Sequence, residues 1–181
     1  MKKILIILTI AIMLFITACA NKDVTFVEPP SDVSENEIDT EGDKEDEPII
    51  APDFELEDLE GNLVKLSSLQ GKKVIINFWA TWCEFCIKEM PDLMSLQESY
   101  KDDLVVLYVN VGEKKEDIVR FVEEEKITGT ILLDTKQQVA ATYGVRSFPS
   151  TLALNEKGEV VTARVGMMDY PMMVKMYEMI K

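Results

Sequence analysis

Two cysteines, Cys83 and Cys86, stand where an apolar run gives way to a segment with helical spacing, and this junction constrains the fold more than any other feature. Lys73 to Phe78 is almost continuously apolar, as in a short central strand buried on both faces. From Cys83 to about Tyr100, Ile87, Met90, Leu93, Met94 and Leu96 recur at helical spacing, with Pro91 expected to kink the helix. A Cys-x-x-Cys pair that follows a strand and opens a helix is the context a redox reading requires. In the first turn, the Cys83 sulfur faces unpaired backbone N–H groups and the positive end of the helix dipole. Both favour the thiolate, the reactive form. Cys86, one turn deeper, is within reach to close a disulfide and to resolve a mixed disulfide with a substrate. Half a zinc site and a static staple are the structural alternatives. Zinc normally takes four ligands, yet the chain has no histidine and only three cysteines, the third being Cys19. A staple across so short a step would restrict the unfolded chain little.

The segments around this junction predict an α/β fold over residues 51–181. Phe54–Leu59 and Leu63–Leu66 flank Glu60-Gly61-Asn62 as an N-terminal β-hairpin, and Ser67–Gly71 reads as a short helical turn. Leu104–Val111 is a second buried strand, and Glu116–Glu125 a helix. Ile131–Leu133 is a short strand, and Gln137–Tyr143 a short helix ended by Gly144. Thr151–Leu154 and Val160–Val165 form a closing hairpin, and Tyr170–Lys181 a final helix. Strands alternating with helices and ending in a hairpin imply a central mixed sheet with helices on both faces. In the last helix Met172, Met176 and Met179 fall at the spacing of a core-facing stripe, which is favoured over a Cu(I)-binding methionine cluster.

The N-terminal end reads differently. Lys2 and Lys3 precede an apolar run from Ile4 to Ile16, the pattern of an export signal, here residues 1–18. The run ends in Ile16-Thr17-Ala18-Cys19, which resembles the lipobox of bacterial lipoproteins, with Ile where Leu is commoner. That resemblance implies cleavage before Cys19 and its lipidation, hence a lipid anchor on the outer face of the cell membrane. An uncleaved transmembrane anchor is the alternative, and it leads to the same side of the membrane. Between Lys22 and Pro48, eleven Asp/Glu face two Lys, so most of the chain's net charge of −14 sits there. Residues 19–50 are too polar to bury a core and read as an acidic, disordered tether, its ends roughly 30 Å apart as a random coil. An acidic chain without a basic patch argues against nucleic-acid binding. The absence of histidine removes His-based triads and proton shuttles.

The run Val74-Ile-Ile-Asn-Phe-Trp-Ala-Thr-Trp-Cys-Glu-Phe-Cys86, continuing into Ile87-Lys-Glu-Met-Pro91, resembles the active-site segment of thioredoxin-like proteins, and specifically the TlpA/ResA branch. The resemblance spans about residues 50–181, including an insertion-like stretch at 112–140 and Ser147-Phe-Pro-Ser-Thr-Leu152. It implies a thioredoxin fold and a cis Phe148–Pro149 bond facing the two sulfurs, with the Phe148 backbone free to pair with an extended substrate strand. It places Asn77 where thioredoxin carries a buried aspartate, and Glu89 as the helix carboxylate that exchanges a proton with Cys86. Trp79 is expected in the core and Trp82 beside the reactive sulfur, in reach of substrate. Phe85 stands where proline is commoner in this branch, and Glu84 adds negative charge beside Cys83.

These readings converge on an extracytoplasmic thiol–disulfide oxidoreductase acting on protein substrates. Its catalytic residues are Cys83, Cys86, Glu89 and Pro149. Trp82 and Phe148 contact substrate, no metal is used, and the Cys83–Cys86 disulfide is the one redox group. A membrane electron-transfer partner is implied. The favoured direction is reductant, as in cytochrome c maturation, because no histidine lies between the cysteines to stabilise the thiolate. A disulfide-inserting oxidase is the runner-up. A thiol peroxidase is weaker, since its Pro-x-x-x-Thr-x-x-Cys spacing is absent before Cys83. A copper chaperone would want Cys-x-x-x-Cys and a distant histidine, and the chain has neither.

Overall fold

In the computed structural model, which describes residues 47–180, Glu60-Gly61-Asn62 turns the chain between β1 (Glu55–Glu57) and β2 (Leu63–Lys65). The Asp58 carboxylate locks this turn by accepting the backbone N–H groups of Glu60 (2.9 Å) and Asn62 (2.8 Å). A 3-10 turn at Leu66–Leu69 leads into β3 (Lys73–Trp79), every residue of which is buried. Helix α1 (Glu84–Ser99) follows, then β4 (Leu104–Val111), α2 (Lys115–Glu125) and β5 (Thr130–Asp134). The chain continues through α3 (Gln138–Thr142), β6 (Ser150–Leu154), β7 (Val160–Val165) and α4 (Tyr170–Met179).

The hairpin β1–β2 is a sheet of its own, and the remaining strands form one mixed sheet in the order β5-β4-β3-β6-β7. β3 lies at its centre, parallel to β4 and antiparallel to β6. A strand with neighbours on both sides and cover on both faces must be apolar throughout, which accounts for the unbroken run in the sequence. Alternation along β3 sends Val74, Ile76 and Phe78 into a core with Phe54, Leu66, Val139 and Leu154. Ile75 and Trp79 enter the opposite core, with Met90, Leu93 and Leu96 of α1, Ile118 of α2 and Met173 of α4. Residues 112–140 form α2, β5 and the start of α3, so this stretch supplies a strand of the main sheet.

Helix α1 runs from Glu84 through Pro91 to Ser99, the span expected of it, and Ser95 Oγ donates to the Pro91 carbonyl at 2.8 Å. One expectation changes. The buried stripe of α4 is Met173, Met176, Tyr177 and Ile180, not Met172, Met176 and Met179. Met179 is exposed and Met172 only partly covered. Stacking of Tyr177 on Tyr100 of the α1 end, with ring centroids 3.9 Å apart, accompanies that rotation of the helix. The predicted signal, Cys19 and most of the tether lie outside the described residues. Among the described residues, no helix is long and apolar enough to cross a membrane.

Candidate active site

Where β3 ends, the chain makes a tight turn in which the Cys83 N–H donates to the Ala80 carbonyl (3.1 Å), and Cys83 becomes the N-cap of α1. Its Sγ accepts the Cys86 backbone N–H at 3.2 Å, as a capping side chain does for an otherwise unpaired donor. The two sulfurs are joined as a disulfide, with the Cα atoms 5.3 Å apart. Cys86 is fully buried while Cys83 keeps 6% of its surface, so access favours Cys83. Trp82, just before it, is exposed, and its ring meets that of Phe148 at 5.8 Å, edge to face. Phe148 packs against the core cluster that contains both cysteines, and the Phe148–Pro149 peptide is cis. The loop after β7 is tied to this segment by Gly166 N–H donating to the Pro149 carbonyl at 2.8 Å.

Glu89 lies one turn further along α1 and is buried, 1% exposed. Asn77 Nδ2 donates to its Oε1 (2.8 Å), and the Met168 backbone N–H donates to its Oε2 (2.9 Å). Burial pushes the carboxyl up to about 7, with nearby Asp92 adding to the rise and the two hydrogen bonds opposing it. Asn77 also donates to Thr151 Oγ1 (3.0 Å), so the buried amide links β3 to α1 and to β6 just past the cis proline. Asn77 Oδ1 and the Tyr108 hydroxyl are buried and have no hydrogen-bond partner among the described residues.

Thr81, Asn110 and Glu113 join this site without having been expected there. Glu113 accepts the Thr81 N–H (2.7 Å), the Thr81 hydroxyl (2.5 Å) and Asn110 Nδ2 (2.7 Å). Thr81 lies in the turn that presents Cys83. A signal was present in the sequence: Asn110 is a polar residue inside the apolar run of β4, and buried polar groups need partners. Glu84 of the Cys-x-x-Cys segment is exposed and paired with Lys88 (2.6 Å), which lowers its carboxyl's pKa. Phe85 is exposed as well. Among the described residues, no group of three or more Cys, Asp or Glu is placed to hold a metal.

The structure thus brings Cys83, Cys86, Glu89, Trp82, Phe148 and Pro149 into one region, drawn from α1, the turn before it and the loop before β6. Residues 50–163 match the AhpC/TSA family profile. The thioredoxin-like protein YneN of Bacillus subtilis is 46% identical over 121 residues, 65% of this chain and 71% of that protein. The thiol-disulfide oxidoreductase ResA of the same organism is 39% identical over 132 residues, 72% of this chain and 74% of that protein. Among solved structures, a thiol:disulfide interchange protein described as DsbE, from Chlorobium tepidum, superposes with a TM-score of 0.69 at 29% identity, covering 74% of this chain and 97% of that one. With a thioredoxin fold, a strand–Cys-x-x-Cys–helix junction closed as a disulfide, and these relatives, the chain belongs to the AhpC/TSA family and to the ResA-type thiol–disulfide oxidoreductases.

Proposed function

We propose that this oxidoreductase works outside the cytoplasm as a reductant of protein disulfides, held to the membrane through Cys19, with Cys83 as nucleophile and Cys86 as resolving thiol. The observation that carries the site assignment is the asymmetry of the pair: Cys83 caps α1 and keeps some exposure, while Cys86 is fully buried, one helical turn before the buried Glu89. The Cys83 thiolate attacks a substrate disulfide, breaking its S–S bond and forming a mixed disulfide; the released thiolate takes up a proton. Cys86 then gives its proton to Glu89 and attacks Cys83, which expels the second substrate thiol and leaves Cys83–Cys86 oxidised. Two electrons and two protons pass to the substrate, and a membrane dithiol partner restores the pair. A carboxyl held near 7 suits this proton transfer at neutral pH. Trp82 and the backbone at Phe148, before cis Pro149, provide the contact surface for substrate.

Direction is favoured by local charge. Glu84 is ionised beside Cys83 and no histidine offsets it, so the thiolate gains less here than in strong oxidants. A peroxidase would need Pro and Thr where Ile76 and Ala80 stand before Cys83. The deciding measurement is the reduction potential of Cys83–Cys86 in the full chain, titrated against dithiothreitol. A value near or below about −270 mV supports a reductant. A value near about −120 mV makes the protein a disulfide-inserting oxidase. Lipidation is tested separately, by mass spectrometry of the N-terminal peptide of membrane-extracted protein; an unmodified Cys19 there refutes the anchor.

A further inference from the structure

The Glu113 carboxylate is divided between the turn that carries the nucleophile and Asn110 of β4. Gly112, at φ +80°, reverses the chain directly after β4, and Glu113 follows it. Among the described residues, its hydrogen bonds run to Thr81 and Asn110 alone, and no lysine or arginine forms an ion pair with it. Asn110 is fully buried and sits opposite Trp79 in the β3–β4 register, so the carboxylate is aimed from a rigid base. Thr81 is gripped at both its N–H and its hydroxyl. It lies inside the turn closed by the Cys83 N–H on the Ala80 carbonyl, and it adjoins exposed Trp82.

We propose that Glu113 is a positioning residue for the redox reaction: through Thr81 it holds the Ala80–Trp82 turn so that Cys83 is presented for attack. Charge-assisted bonds of this length are among the stronger protein hydrogen bonds, and here they join two loops 32 residues apart in sequence. The same carboxylate, placed for stability alone, would more simply pair with a surface lysine. The proposal rests on the thiol–disulfide exchange reading.

The test uses the full chain in detergent, carrying Cys19→Ser so that only Cys83 and Cys86 react. The reduced protein is mixed with 5,5′-dithiobis(2-nitrobenzoate). The Cys83 thiolate attacks the reagent's disulfide and releases one nitrothiolate; Cys86 then displaces the second, leaving Cys83–Cys86 oxidised and the reagent reduced by two electrons. The first-step rate is compared in Glu113→Gln, Thr81→Val, the double variant and Thr81→Ser. Each of the first two slows attack about tenfold, as expected for losing a hydrogen bond to a charged group. The double variant is no slower than the slower single one, because both act through one contact. Thr81→Ser, which keeps the hydroxyl, stays within about twofold of the parent. Unchanged rates in the folded variants overturn the proposal, and so do losses that add in the double variant. If Glu113→Gln does not fold, the contrast between Thr81→Val and Thr81→Ser still decides. A parent protein that releases no nitrothiolate refutes the exchange reading instead.

Discussion

Replacing Glu89 by Gln should stabilise the oxidised protein at neutral and alkaline pH, and it removes the carboxyl proposed to take the Cys86 proton. The carboxyl is 1% exposed and titrates at about 7 in the fold against 4.5 as its ordinary value. Each tenfold change in proton affinity is worth about 1.4 kcal/mol, so the ionised fold is penalised by about 3 kcal/mol relative to the protonated one. Below pH 4.5 the group is protonated in both folded and unfolded chains and contributes no difference. Between pH 4.5 and 7 the folded chain holds a proton that the unfolded chain has released, so stability falls as pH rises; above 7 the loss is complete. A neutral amide has no such penalty. Its oxygen can accept the Met168 N–H, and its NH₂ can donate to Asn77 Oδ1, now unpartnered, once the Asn77 amide turns over. The Thr151 hydroxyl can then donate where it now accepts. The assay is urea unfolding of both oxidised proteins from pH 4.5 to pH 8. The variant should gain up to about 3 kcal/mol over the parent at pH 8 and little at pH 4.5. A gap that stays within about 1 kcal/mol across the range would refute the argument that burial holds this carboxyl up.

Other outcomes follow from the packing. Leu93→Ala, at a fully buried position of α1, should cost about 2–5 kcal/mol in urea unfolding through the cavity it leaves. Gly129→Ala should cost about 2–4 kcal/mol by the same measurement: the backbone is at φ +133°, and a Cβ would lie 2.6 Å from Tyr108 Cε2. Asp103→Asn removes the partner of Lys73, 2.7 Å away, and weakens the bonds from the Tyr177 hydroxyl. Because Asp103 is about half exposed, the expected loss at pH 7 is about 1 kcal/mol. The bond from Lys73 holds the Asp103 carboxyl below 3.8, so that stability is present above pH 3.8 and lost as pH falls through the lower folded value. Thermal melts of parent and variant should therefore converge only in strong acid.

Local pattern and tertiary packing divided the problem unevenly. The unbroken apolar run of β3, the Cys-x-x-Cys pair at the following helix and the closing hairpin are short-range features, and a single stretch of chain suffices to read them. Glu89 was legible for the same reason, lying one helical turn from Cys86. The rotation of α4 was not: Tyr170–Met179 is apolar on several sides, so two stripes fit the spacing, and packing against α1 chose Met173, Met176 and Tyr177. The environment of Glu89 was also hidden, because its donors Asn77 and Met168 are 12 and 79 residues away in sequence. Glu113 escaped notice because an exposed-looking glutamate gains its meaning only when the parallel β3–β4 pairing brings its loop beside Thr81. Fold class, the Cys83–Cys86 pair and its place at a helix start were readable from the chain alone, since these depend on residue type and near-neighbour spacing. Only the tertiary structure set which carboxylates are buried and what holds them, and so raised the Glu89 carboxyl, because desolvation and hydrogen bonding there come from segments distant along the chain.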